Sequence, residues 1–197
     1  MVTRLLMGAA TAILRTDDGI NTVSPKPRFT GGGEFAFNLY LSPVVAINLG
    51  MVLISKGYRA DEILEEDGFR VEVEERMTFL TMELPMGVLL NLSGFRIGID
   101  MVVSYLLHGR AKGKLDGDSY ESDIDNWDQL RRLNIGPRVS LGYAIPAGPV
   151  AVVPGAFWEM DFLNVYDLDQ ELIDLLGGDM SYRHMSIMAS LGLEFSM

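Results

Sequence analysis

The sequence predicts an all-β protein: an eight-stranded, antiparallel, up-and-down transmembrane β-barrel, built as a single domain over residues 1–197. Three observations predict it. Apolar residues recur at every second position along almost the whole chain, which is the period of a strand and not of a helix. The apolar files are long: one runs from Phe95 through Ile97, Ile99, Met101, Val103 and Tyr105 to Leu107. The alternate file does not suit a strand facing water, because it mixes glycine, alanine, serine and asparagine with a few ions such as Arg96 and Asp100.

The strands follow in order. Residues 1–14, MVTRLLMGAATAIL, alternate with Leu5, Met7, Ala9, Thr11 and Ile13 on one face. They fit a first strand. Arg4, the apolar run and Ala10-Thr11-Ala12 also fit a short signal segment, and the sequence leaves both open. The second strand sets Phe35, Phe37, Leu39 and Leu41 against Glu34, Ala36, Asn38 and Tyr40. The third sets Val45, Ile47, Leu49, Met51 and Leu53 against Ala46, Asn48 and Gly50. The fourth carries Leu80, Met82, Leu84, Met86, Val88, Leu90 and Leu92 opposite Thr81, Glu83, Pro85, Gly87 and Asn91. Ser93-Gly94 is a tight turn into the fifth, from Phe95 to Arg110. Pairing symmetrically about that turn sets Asn91 against Arg96, Gly87 against Asp100 and Glu83 against Ser104. The sixth runs from Arg132 to Tyr143 with Arg138 on its polar face, and the seventh from Val150 to Phe162 with Glu159 and Asp161 on theirs. The eighth places Met185, Ile187, Ala189, Leu191, Leu193 and Phe195 opposite Ser186, Ser190, Gly192 and Glu194.

Short turns near Ser42, near Ser93 and over 144–149 alternate with long polar connections over 17–26, 59–75, 111–128 and 164–181, as a meander requires. The last contains LDQELIDLL, which suits one or two helical turns.

Alternation alone fits a soluble barrel as well, with the faces reversed. Seven alternate apolar positions span about 40 Å of strand at about 3.3 Å per residue. Tilted by about 45°, that projects to about 28 Å, close to a bilayer's hydrocarbon core. Aromatic residues near strand ends (Tyr58, Phe95, Tyr143, Phe162, Phe195) suit an interfacial girdle. The apolar file therefore faces lipid. Glu34, Glu83, Arg96, Asp100, Arg138, Glu159, Asp161 and Glu194 point into a closed lumen. Ions there must be paired or wetted, so these eight should form a network that plugs the barrel.

FTGGGEFAFNLYLSPVVAINLGMVLISKGYR, FLTMELPMGVLLNLSGFRIGIDMVVSYLLHGRAKGK, LRRLNIGPRVSLGY and the closing SLGLEFSM resemble the small outer-membrane β-barrel (porin-like) family of Bacteroidetes-type bacteria. The likeness runs from about Phe29 to Phe195 and departs at Asn134, where the family more often has Asp. It implies location in the bacterial outer membrane, contact with outer-membrane lipid and lipopolysaccharide, and no catalytic site.

Composition excludes several classes. A net charge of −11 argues against nucleic acid, which needs clustered Lys and Arg. With no cysteine there is no disulfide, thiolate metal site or cysteine nucleophile. No run of about 18 apolar residues is present to make a transmembrane helix. Mean hydropathy of +0.19 in so acidic a chain implies that charge and apolar surface are segregated. Asp100, Ser104 and His108 fall on one predicted face and invite a hydrolase reading. Steps of four residues put them about 13 Å apart, too far for a triad. His184 should be a surface residue. The acidic stretch DGDSYESDIDNWD lacks the glycine and glutamate positions of an EF-hand loop. It is expected to be solvated, with calcium as the alternative. No enzyme activity, cofactor or metal is expected. The function this supports is a plugged outer-membrane barrel serving as a structural or accessory subunit of a cell-envelope assembly, beside another outer-membrane or envelope protein. The alternatives are a narrow channel for small solutes or ions and, less well supported, a soluble lipocalin-like ligand binder.

Overall fold

In the computed structural model, residues 2–16, 26–66, 69–115, 118–123, 131–163 and 180–195 are described. They form one antiparallel sheet that closes on itself. The strands are β1 (Val2–Thr16), β2 (Lys26–Tyr40), β3 (Val45–Glu66), β4 (Phe69–Leu92), β5 (Phe95–Leu115), β6 (Asp118–Asp123), β7 (Leu133–Tyr143), β8 (Ile145–Ala147), β9 (Val150–Met160) and β10 (Met180–Phe195). Each of β1 to β5 pairs with the next, β5 pairs with β7, β7 with β9 and β9 with β10, and β10 returns to β1 from Val2↔Glu194 to Thr16↔Met180. Closure pairs the staves on both sides around the body of the barrel, and the upper ends of β3 to β6 extend beyond it as a narrower sheet.

Ten segments make eight staves. The sixth stave is in pieces: β6 pairs the upper end of β5, β7 lies between β5 and β9, and β8 continues along β9. The break between β7 and β8 is Ala144, whose N–H donates to the Gly94 carbonyl at 2.8 Å. Residues 1–14, apart from Met1, lie within β1 and form the closing stave.

Hairpin geometry fixes the lower end. Ser93 (φ 53°) and Gly94 (φ 96°) both take left-handed backbone, the pair of positive φ values that a two-residue hairpin turn needs. The β4–β5 register follows: Leu92↔Phe95, Asn91↔Arg96, Gly87↔Asp100 and Glu83↔Ser104, as the sequence predicts. Beside this turn Phe95 and Tyr143 sit on adjacent strands with rings edge to face at 4.9 Å, both exposed outward. They form one arc of the girdle.

The outer wall is apolar. Ile99 is 61% exposed, Leu141 60%, Leu39 62% and Ile187 60%, so side chains that would lie in the core of a soluble domain cover the outside. Polar groups fill the inside: Glu83, Glu159, Arg138 and Lys56 are all at most 4% exposed. This inverted pattern is that of a transmembrane barrel and opposes the soluble lipocalin-like alternative. The interior also holds apolar fillers that the sequence does not announce. Val52, Ile54, Phe157 and Met188 pack together in the middle of the lumen.

Polarity inverts again near the top of the wall. On β5 the alternation slips by one residue: Leu80 pairs with His108, but Thr81 pairs with Leu106. Leu107 is the extra residue of a β-bulge. Above it Gly109 and Ala111 face in and His108, Arg110, Lys112 and Lys114 are exposed outside. Tyr58, Met77 and Phe79 are buried inside at this level. At this level β3 to β5 turn apolar side chains inward and β5 turns its charged ones outward, as a sheet in water does.

Two expectations are corrected here. Residues 59–66, 69–75 and 111–115 are strand, not loop: β3 and β4 stay paired to Glu66↔Phe69, and β5 continues to Leu115. Over 59–66 both alternate files carry charge and the apolar period fades, while 69–74 and 111–115 keep their charges on one file; the backbone ladder runs on, braced by Arg59–Glu74 at 3.6 Å and Lys112–Glu121 at 3.0 Å. Tyr58 is not a girdle residue: it is 5% exposed and points inward.

Candidate functional site

The lumen gathers ionisable groups from seven staves. Even-numbered residues face in on β2, β3, β7 and β10 and on β5 up to Leu106, and odd-numbered ones face in on β4 and β9. Small neighbours make room for the long ones. A Cβ at Gly87 would lie 2.1 Å from the Ile99 carbonyl and 2.6 Å from Asp100 Oδ1, and one at Gly136 would lie 1.9 Å from the Met160 carbonyl. These sites admit glycine alone without a backbone shift.

Two basic and three acidic side chains meet at mid-height. Arg138 Nη2 lies 2.8 Å from Glu83 Oε2 and 2.6 Å from Glu159 Oε2, Arg138 Nε donates to Glu159 at 2.8 Å, and Nη1 lies 3.6 Å from Glu34. The Lys56 ammonium is 2.5 Å from Glu83 and pairs also with Glu159. Each carboxylate of the central pair thus touches both cations. The Arg138 guanidinium lies over the Phe157 ring, 4.5 Å from its centroid, which adds a cation–π contact in a dry setting. Thr81 Oγ1 donates to Glu83 at 3.3 Å. Breaking one member of such a cluster strands a buried charge, a loss of about 3–5 kcal/mol.

Two further pairs lie below and above. Toward the short turns Arg96 pairs with Glu194, and the Tyr40 hydroxyl donates to Glu194 at 3.3 Å. Toward the hairpins His184 Nδ1 lies 3.3 Å from Asp161 Oδ2. Asp100 accepts from Asn48 Nδ2 at 3.0 Å. All eight residues named from the sequence are therefore on the lumen side. Glu34, Glu83, Arg138 and Glu159 come together in one cluster, while Arg96, Asp100, Asp161 and Glu194 hold separate places. Arg138 stands beside Asp100 in register and bonds Glu83 and Glu159. Lys56 was missed. It follows Asn48, Gly50, Val52 and Ile54 on the inner file of β3, and the apolar Val52 and Ile54 hide the period that leads to it.

The Ser–His–Asp pattern does not assemble. Ser104 is buried in the lumen, but the bulge at Leu107 turns His108 outward, where it lies 3.6 Å from Asp123. His184, expected at the surface, is 5% exposed and meets the Phe79 ring edge-on at 5.1 Å. In the acidic stretch, Glu121 and Asp123 bond Arg110 at 2.8 and 3.1 Å. Asp116, Asp125 and Asp128 lie outside the described residues, as does LDQELIDLL. Among the described residues, a cavity of about 20 Å³ remains beside Glu34, Arg96, Asp100 and Arg138, room for one water.

No protein-family model matches the chain, and no curated protein matches it. Several solved structures are similar to it. Ail, the attachment invasion locus protein of Yersinia pestis, is 13% identical with 98% of each chain covered and a TM-score of 0.41. Neisserial surface protein A is 12% identical, with 98% of this chain and 97% of that chain covered and a TM-score of 0.37. The outer membrane protein OprG of Pseudomonas aeruginosa is 10% identical, covering 100% and 96%, with a TM-score of 0.35.

Proposed function

We propose that the chain is an integral barrel of the bacterial outer membrane with a sealed lumen, acting as a structural or accessory subunit of a cell-envelope assembly. The observation that carries this is the cluster of Lys56, Arg138, Glu34, Glu83 and Glu159, which reaches across the lumen at mid-height. Apolar fillers Val52, Ile54, Phe157 and Met188 occupy the space beside it. Eight strands enclose only enough room for such side chains to fill. With the inside filled, the surfaces left for work are the lipid-facing wall and the hairpins above it.

Planar-bilayer recording of the purified, refolded protein tests the seal. The expected result is a baseline without steady current. Conductance comparable to an open porin would favour the other reading, a narrow channel. Cross-linking in intact envelopes followed by purification tests the accessory role, and the expected product is a stable complex with a second envelope protein.

A further inference from the structure

We propose that the outward face of β3, β4 and β5, just above the apolar wall, binds the phosphate groups of a phosphorylated glycolipid headgroup. Arg59, Arg76 and Lys112 stand directly opposite one another on three successive strands: Arg59↔Arg76 and Arg76↔Lys112. Arg110 is one outward position below Lys112. Neighbouring strands are under about 5 Å apart, and like charges placed opposite each other destabilise a sheet. A row of three such residues asks for a counter-charge.

The sheet supplies only part of it. Glu74 lies 3.6 Å from Arg59; Glu121 is 3.0 Å from Lys112 and 2.8 Å from Arg110; Asp123 is 3.1 Å from Arg110. The row above sets Asp61 opposite Glu74 and Glu74 opposite Lys114. Arg76, at the centre of the basic row, is exposed and makes no ion pair among the described residues. This cluster stands out in a chain whose net charge is −11.

Its position identifies the anion. The same outward files descend directly to Leu80, Met82 and Tyr105, and the bulge at Leu107 marks where the wall changes from apolar to charged. A lipid whose acyl chains lie along that wall puts its headgroup phosphates at the basic row. Guanidinium groups grip phosphate through paired N–H donors, and long basic side chains lean down toward an interface while their stems stay on apolar surface. The inference rests on the membrane placement proposed above.

The test compares wild type with R76S/K112S, both refolded in zwitterionic detergent and checked for the heat-modifiable mobility of a closed barrel. Native mass spectrometry then measures retention of a diphosphorylated glycolipid, the same glycolipid after enzymatic dephosphorylation, and inorganic phosphate as competitor. Each basic residue near an anionic lipid surface contributes enough that removing two should weaken retention by about ten-fold or more. Wild type is expected to hold the diphosphorylated form in preference to the dephosphorylated one, the double variant to lose that preference, and R183S, an exposed arginine on β10, to keep it. Equal retention by wild type and R76S/K112S, or indifference to dephosphorylation, would overturn the site. Displacement by an equal concentration of inorganic phosphate would overturn the headgroup as its ligand. Flotation of wild type with phosphatidylcholine vesicles checks the placement separately. Failure to float would sink the membrane reading, whereas flotation without phosphate preference would sink this site alone. Should R76S/K112S not fold, R76S alone reads the same preference.

Discussion

Asn48 reaches across Gly87 to Asp100: the three stand in one row on β3, β4 and β5, and the asparagine amide nitrogen is 3.0 Å from the carboxylate. The bond exists because Gly87 has no side chain. A methyl there would meet the Ile99 carbonyl at 2.1 Å and Asp100 Oδ1 at 2.6 Å. Gly87→Ala should therefore both shift backbone and break the amide–carboxylate bond. The expected loss is about 2–4 kcal/mol, combining overpacking with the loss of a buried hydrogen bond to a carboxylate. Urea titration in lipid vesicles, followed by tryptophan fluorescence, measures it; an unchanged midpoint would show that the row is slack.

Lys56→Met removes one of the two cations that Glu83 and Glu159 share. The variant should be destabilised by about 3–5 kcal/mol, since Glu34, Glu83 and Glu159 are left sharing Arg138 alone. Adding Glu83→Gln should restore part of that loss by removing the stranded charge. A double variant no more stable than Lys56→Met would mean that the cluster's energy does not lie in this pairing.

The two faces of β5 should respond in opposite ways. Ile99 is 61% exposed on the outer wall, and Asp100 beside it is buried in the lumen. Ile99→Arg should destabilise insertion by about 2–4 kcal/mol near the bilayer midplane. Asp100→Asn should still insert. Folding yield into vesicles, read as heat-modifiable mobility on gels, separates them. Insertion of Ile99→Arg at wild-type yield would contradict a lipid-facing wall.

Asp118 lies on β6 in the upper hairpin, and Gly148 in the short turn between β8 and β9, at opposite ends of the barrel. In intact cells, Asp118→Cys should react with an impermeant maleimide and Gly148→Cys should not. Labelling of Gly148→Cys alone would invert the orientation.

How much of this was legible in the sequence depends on what local chemistry marks. The β4–β5 register could be read because Ser93-Gly94 is a two-residue turn and side chains alternate strictly away from it. The eight lumen ions could be placed because each sits on a polar file with an uninterrupted apolar partner file. Lys56 escaped because Val52 and Ile54 precede it on the inner face. His108 was assigned to the wrong face because the bulge at Leu107 inserts one residue and leaves no sequence mark. His184 escaped because nothing near it in sequence shows that Asp161, on another stave, would receive it. The upper end of β3 reads as a connection because both of its alternate files carry charge, whereas on β4 Phe69, Val71 and Val73 against Arg70, Glu72 and Glu74 hold a strand period that the high charge content overshadows.

The two levels at which the wall changes character also set an immersion depth. Leu92, Phe95 and Tyr143 mark the lower one and Leu80 with Leu107 the upper. On β4 that is 80 to 92, about 40 Å of strand and about 28 Å of height at a 45° tilt. Above it, charged outer faces oppose deeper sinking; below it, exposed turns oppose rising. The barrel is consequently a gauge of bilayer thickness. Its folding yield should peak in acyl chains whose hydrocarbon core matches that height. In thicker bilayers the membrane must thin around it, at a modest penalty for every ångström of mismatch, and a protein with this fixed draught will gather where the membrane already fits.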